Sequence, residues 1–225
     1  MTAASFPSLL QGFFTDRLLR QRQASPHTIA SYRDTFRLLL RFAADQLRKA
    51  PSVLKTEEIE PAFIGRFLEH LEQGRGNSSR TRNVRLAAIH SFFRYVALAE
   101  PAHALLCQQV LAMPSKRHQR KPIAFLDAAE ITAVLAAPDL STWIGRRDRT
   151  LLAVAIQTGL RVSELIGLRR EDVVLGSGAH VRCEGKGRKQ RCTPLGRDTA
   201  AGLDTWLRRD LPAQLLDFRA RIAHP

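Results

Sequence analysis

A chain of 225 residues is long enough for one large domain or two small ones, and 44% hydrophobic with 25% charged residues is the balance of a folded protein rather than a disordered one. Thirty-five Lys and Arg against 21 Asp and Glu leave a formal charge of +14, which points to a polyanionic partner, nucleic acid first and an anionic membrane surface second. No apolar run nears the ~20 residues of a membrane span, the N-terminal segment has no signal-peptide pattern, and Cys107, Cys183 and Cys192 follow no metal-ligand spacing, so no membrane, zinc site or cofactor is expected and the thiols read as reduced in a cytoplasmic protein.

The first hundred residues read as helix after helix. Residues 6–20 are amphipathic, with Leu9, Leu10, Phe13, Phe14 and Leu18 on one side. Ser25 then supplies an N-cap and Pro26 the first helical position. Behind them Ile29, Tyr32, Phe36, Leu39, Leu40 and Ala43 recur at steps of three and four. A third helix over 61–72 buries Ile64, Phe67, Leu68 and Leu71 and stops near Gly74. Residues 74–79 form a turn, Asn77 or Ser78 caps the next helix, and that helix runs to about Leu98 with Val84, Ala88, Phe92 and Tyr95 inward. Residues 1–100 therefore make a compact four-helix domain.

Residues 101–122 contain three prolines and end in Lys116, Arg117, Arg120 and Lys121 with no acid among them, the composition of a basic interdomain linker. The remainder, 123–225, changes character. Asp127 and Glu130 form a capping box that opens a helix to about Ala137. Ser141 caps a longer helix ending at Thr158 and Gly159, and 162–168 is a short one. Residues 179–185 and 189–195 are two strands joined by a tight turn at Lys186, Gly187 and Arg188, and 196–211 return to helix. Charge follows both halves: 1–100 hold 15 bases and 9 acids (+6), 101–225 hold 20 and 12 (+8), so both halves are expected to touch the partner.

Two segments carry chemistry. Residues 158–168 read TGLRVSELIGL, and 185–195, across the hairpin, read GKGRKQRCTPL. Together they resemble the T-G-x-R-x-x-E-L-x-x-L and G-K-G-x-K-x-R-x-x-P-L patterns of the tyrosine recombinases, the phage-integrase and Xer-type proteins. SPHTIASYRDTFRLLLRF (25–42) and TRNVRLAAIHSFFRYV (81–96) are similar to the second and last helices of that family's core-binding domain. The resemblance implies a mainly α fold with a small β-hairpin or sheet, in which a four-helix SAM-like core-binding domain precedes part of an α+β integrase catalytic domain. It also implies double-stranded DNA as partner, held in a clamp.

Strand cleavage in this family transfers a phosphodiester onto a tyrosine and builds negative charge on the non-bridging oxygens. A planar guanidinium can hold two such oxygens, which suits arginine better than lysine. The resemblance gives that role to Arg161, gives Glu164 the orienting role, and makes Lys186 the general acid for the departing 5′ oxygen, with Lys189 as the competing candidate. Without the motif, Arg161 and Glu164 would be a plain helix-surface pair at i, i+3. Arg182, Arg188, Lys189 and Arg191 on the hairpin, Lys116, Arg117, Arg120 and Lys121 in the linker, and Arg80 and Arg82 in the first domain are expected to meet DNA phosphates. Cys183 and Cys192 are expected to face each other across the hairpin as ordinary packing.

The family's His-x-x-Arg helix, a later His or Trp, and the nucleophilic tyrosine are not found. His118 is followed by Lys121 at the third position, and the two tyrosines, Tyr32 and Tyr95, lie on helix faces as core residues. The sequence therefore predicts a recombinase-type chain that binds DNA without cutting it, alone, as a homo-oligomer or beside an intact recombinase. The alternative is a non-catalytic protein that occupies or regulates a recombination site. An RNA- or ribosome-associated role is disfavoured by 7% aromatics and by the lack of an aromatic RNA-binding strand.

Overall fold

The computed structural model describes residues 5–119, 123–185 and 189–210, and the chain divides into two compact units, Met1–Lys121 and Pro122–Pro225. In the first unit, Ser5 caps helix α1 (Phe6–Gly12), which continues without a break into a π-helical stretch, Phe13–Gln21. The wider winding ends with the Arg22 N–H donating to the Arg17 carbonyl at 3.0 Å, and Gln23 follows at φ 44. Helix α2 (Pro26–Leu47) starts where its sequence requires, with Ser25 Oγ accepting from the Thr28 N–H and Pro26 in the first turn. Helix α3 (Pro61–Arg75) runs a turn past the expected stop, because Gly76 at φ 62 rather than Gly74 takes the left-handed cap. Helix α4 (Ser79–Ala99) is capped by Ser78.

Aromatic rings fill this core. Phe13 meets Phe14, Tyr32, Phe36, Phe92 and Tyr95 at centroid distances of 5.5 to 6.2 Å, mostly edge to face. Both tyrosine rings thus pack on the core, as their helical spacing predicts. Along α4 the inward set is Leu86, Ala88, Ile89, Phe92, Phe93 and Val96, whereas Val84, expected inside, is exposed. Arg85 crosses from α4 to α2, donating to Asp34, to Thr35 Oγ1 and to the Ser31 carbonyl.

The stretch expected to be linker begins with a further helix. Pro101–His103 forms a 3₁₀ turn and α5 (Ala104–Leu111) follows, burying Cys107 and Val110 in the first unit's core. Pro101 and Pro114 read as loop signals, yet here they bracket the helix, starting it and lying beyond its end. Only after α5 does the chain leave helical structure, and even there Lys116 is tied back to α4: its N–H donates to Asn83 Oδ1 at 3.0 Å and its carbonyl accepts from Asn83 Nδ2 at 2.8 Å.

The second unit opens with α6 (Ala128–Ala136) behind the Asp127–Glu130 capping box. Helix α7 (Trp143–Thr158) is capped by Thr142, one residue past the expected Ser141, whose hydroxyl instead bonds Asp139. Helix α8 is a single turn, Val162–Leu165. Three antiparallel strands follow in spatial order: β1 (Val173–Val174), β2 (His180–Glu184) and β3 (Gln190–Pro194). Register pairs Cys183 with Arg191 and Cys192 with Arg182, so the two cysteines stand on opposite faces, Cys183 buried and Cys192 exposed. Helix α9 (Arg197–Arg209) is the last described element, and Val154, Leu165, Val181, Leu195, Leu203 and Trp206 are among the residues of the unit's core. Among the described residues no helix is long and apolar enough to cross a membrane.

Helices α7 and α9 are pinned by one ion pair. Arg146 donates through Nε and Nη2 to the buried Asp210 carboxylate at 2.7 to 3.1 Å, and through Nη1 to the carbonyls of Leu140 and Ser141. The hydrogen bonds from Arg146 hold the Asp210 carboxyl below its ordinary value of 3.8. A depressed folded pKa stabilises the fold above 3.8, and that contribution is lost as pH falls toward the folded value. Asp210→Ala is expected to cost about 3 kcal/mol by stranding the arginine. Asp210→Asn should flatten the acid limb of a circular-dichroism pH titration; an unchanged limb would show that the pair does not govern acid stability.

Candidate functional site

The site begins where α7 ends. Gly159 at φ 60 reverses the chain, buried Leu160 anchors the turn, and Arg161 takes the N-cap position of α8. Three residues on, Glu164 folds back over the same turn. Its Oε2 accepts the Arg161 backbone N–H at 2.8 Å, and its Oε1 accepts Arg161 Nη1 at 2.8 Å. The Glu164 side chain is 5% exposed and that of Arg161 65%, so a buried carboxylate carries an outward guanidinium. From β3, Arg191 Nη2 also donates to Glu164 Oε2 at 2.8 Å, while Arg191 Nε donates to Cys183 Sγ at 3.3 Å.

Electrostatics follow from this geometry. The Arg161 N–H, aided by both guanidinium groups, holds the Glu164 carboxyl below the usual carboxylate range despite its burial. The Cys183 hydrogen bond and the Glu164 charge push Arg191 up from its ordinary value. Gly185 closes the neck of the hairpin, donating its N–H to the Lys189 carbonyl at 2.8 Å. A Cβ there would stand 3.2 Å from Glu164 Oε1, tighter than most packed contacts, so glycine lets the hairpin approach the carboxylate. Beside the cluster lies a polar cleft of about 590 Å³ lined by Ser163, Glu164, Arg169, Arg182, Cys183 and Gln190 among others.

The structure thus brings Arg161, Glu164 and Arg191 together. Arg182 and Lys189 are exposed on the hairpin, and Arg80 and Arg117 are exposed in the first unit. Two expected phosphate contacts are otherwise engaged. Lys116 Nζ donates to Glu72 at 2.7 Å, and Arg82, with its side chain 12% exposed, lies 3.8 Å from the same carboxylate. Lys186, Arg188, Arg120 and Lys121 lie outside the described residues. Sequence reading missed the grip of Arg191 on Glu164. The signal was available in the alternation of β2: Val181 and Cys183 face the core, and the residue paired with Cys183 must share that face.

Comparison with known proteins agrees with this architecture. Residues 12–100 match the phage integrase N-terminal SAM-like domain, and residues 124–217 match the phage integrase family. The chain therefore belongs to the phage integrase family of tyrosine recombinases. It is 58% identical over 205 residues to a Sinorhizobium fredii protein named as an integrase/recombinase, y4rC, covering 91% of this chain and 62% of that one. With tyrosine recombinase XerC of Rhodospirillum centenum it shares 37% identity over 183 residues, 79% of this chain and 52% of the relative. The chain thus spans little more than half the length of these relatives. In fold it is similar to a lambda integrase dimer bound to a COC′ core site (TM-score 0.66, 19% identity, 92% of this chain and 70% of that one). It is similar also to XerH site-specific recombinase bound to difH substrate (TM-score 0.61, 20% identity, 85% and 56%).

Proposed function

We propose that the chain binds duplex DNA as a site-specific recombinase does, and that Arg161 grips the scissile phosphate. The observation that carries this reading is the outward Arg161 guanidinium mounted on the buried Glu164 carboxylate. A guanidinium so held presents its remaining N–H donors to two non-bridging oxygens without reorganising as charge builds. Glu164 orients it. Lys186, between Gly185 and Gly187, protonates the departing 5′ oxygen, with Lys189 as the second candidate for that proton. Arg80, Arg117, Arg120, Lys121, Arg182, Arg188 and Lys189 neutralise backbone phosphates on either side.

On this reading the chain binds without cutting. Tyr32 and Tyr95 both pack on the aromatic cluster around Phe13, the place of core residues rather than of a free nucleophile. A nicked suicide duplex from the flanking genomic sequence, run beside a gel-shift titration, tests both parts. Saturable, salt-sensitive binding with no SDS-resistant adduct is the expected result. An adduct would overturn the non-cleaving part, and absence of binding would overturn the DNA reading itself. A second reading, a non-catalytic occupant or regulator of a recombination site, is favoured by the same tyrosine packing; it predicts that the chain inhibits an intact recombinase on a shared site.

A further inference from the structure

We infer that Arg191 is a positioning residue for Arg161, acting through the Glu164 carboxylate, rather than one of the cations that grip DNA. The inference rests on the reading of Arg161 as the phosphate-binding guanidinium, and it departs from the phosphate role that sequence alone assigns to Arg191.

Three observations carry it. First, two donors of the Arg191 fork are taken by the protein, Nη2 by Glu164 Oε2 and Nε by Cys183 Sγ, although the side chain is 44% exposed. Register forces this direction, because Arg191 pairs with Cys183 and so stands on the face of the hairpin that carries buried Val181. Arg182, on the other face of β2, is exposed.

Second, Glu164 is a shared carboxylate. Its Oε2 takes both the Arg161 N–H and Arg191, and its Oε1 takes the Arg161 guanidinium. Without Arg191 the carboxylate keeps only the two Arg161 donors, and nothing from β3 fixes the direction in which Glu164 holds the Arg161 guanidinium.

Third, the fit is specific to arginine. The two acceptors lie in different directions from one guanidinium, an oxygen at 2.8 Å and a sulfur at 3.3 Å. A lysine lacks the two separate nitrogens of that planar fork, so the pair of bonds would have to be rebuilt around a single ammonium.

The test reads Arg161 directly. Arginine side-chain nitrogen spectra of the full chain locate the Arg161 signal by its loss in Arg161→Lys. Arg191→Gln is expected to shift and broaden that signal, Arg191→Lys to restore it only in part, and Arg182→Gln to leave it in place. On a log–log plot of duplex affinity against salt, Arg182→Gln should be shallower by about 0.9, the loss of one phosphate contact. Arg191→Gln should run parallel to wild type at about tenfold weaker affinity. An unmoved Arg161 signal, or a slope that drops by about 0.9 in Arg191→Gln, would overturn the assignment and return Arg191 to the phosphate contacts. Should Arg191→Gln fail to fold, Cys183→Ala removes the Nε acceptor at the loss of one buried sulfur atom; a shift of the Arg161 signal in the same direction supports the inference and an unmoved signal overturns it. A wild-type chain that does not bind DNA would sink the DNA reading while the spectra still decide the positioning claim.

Discussion

Raising monovalent salt from about 50 to about 200 mM is expected to weaken duplex binding by about a thousandfold, the effect of neutralising roughly six phosphates at a slope of about −0.9 each. The net charge of +14 is shared by both halves of the chain, which makes several simultaneous contacts reasonable. The cations expected to set the slope are Arg80, Arg117, Arg182 and Lys189, exposed and without a side-chain partner among the described residues, together with the outer edge of Arg161. Lys116 and Arg82 contribute less, since both converge on Glu72. Fluorescence anisotropy across a salt series gives the slope directly. A slope shallower than about −2 would mean that no more than two phosphates are neutralised, too few for a two-unit grip.

Much of the helical unit was legible in the sequence because its signals are local. Ser25 before Pro26, and Ser78 before the last helix, are caps whose geometry depends on three or four neighbouring residues. What failed there failed for tertiary reasons. Helix α5 covers eight residues between Pro101 and Pro114, too short to announce itself by periodicity, and it exists because Cys107 and Val110 reach the core. Val84 and Leu86 sit two apart on α4, and only the packing of neighbouring helices decides which of them turns inward. Strand β1 has two residues and is recruited by β2 through the pairing of Val173 with Val181, a contact that no local rule reaches.

At the candidate site, spacing alone set Arg161 and Glu164 on one turn, since residues three apart on a helix are neighbours. That Glu164 is the buried member and Arg161 the outward one does not follow from spacing. It follows from Leu160 and Leu165 sinking into the core on either side of the turn. The hairpin cations looked equivalent in the sequence because Arg182, Lys189 and Arg191 share charge and proximity. The pleat separates them, placing Arg191 on the face of Cys183 with its side chain still 44% exposed, and Arg182 on the opposite face. Composition therefore pointed to a polyanionic partner, while register set Arg191 on the face that reaches Glu164 and Arg182 on the other.

Phe13→Ala is expected to destabilise the helical unit by about 4 kcal/mol, close to a thousandfold in its folding equilibrium. The ring is fully buried and touches five other aromatic rings contributed by the π-helical stretch, α2 and α4. Rigid rings at edge-to-face contact cannot slump into the space that it leaves, so the cavity term adds to the lost burial. Leu19→Ala, at a side chain that is 53% exposed nearby, should change stability by less than about 0.5 kcal/mol and serves as the control. The two tryptophans, Trp143 and Trp206, both lie in the second unit, so their fluorescence reports that unit while far-ultraviolet circular dichroism reports both. In urea the dichroism midpoint of the first unit should fall by about 2 M while the tryptophan midpoint stays in place. A tryptophan midpoint that falls with it would show the two units unfolding as one, and a dichroism midpoint that does not move would show that the aromatic cluster is not what holds the helices together.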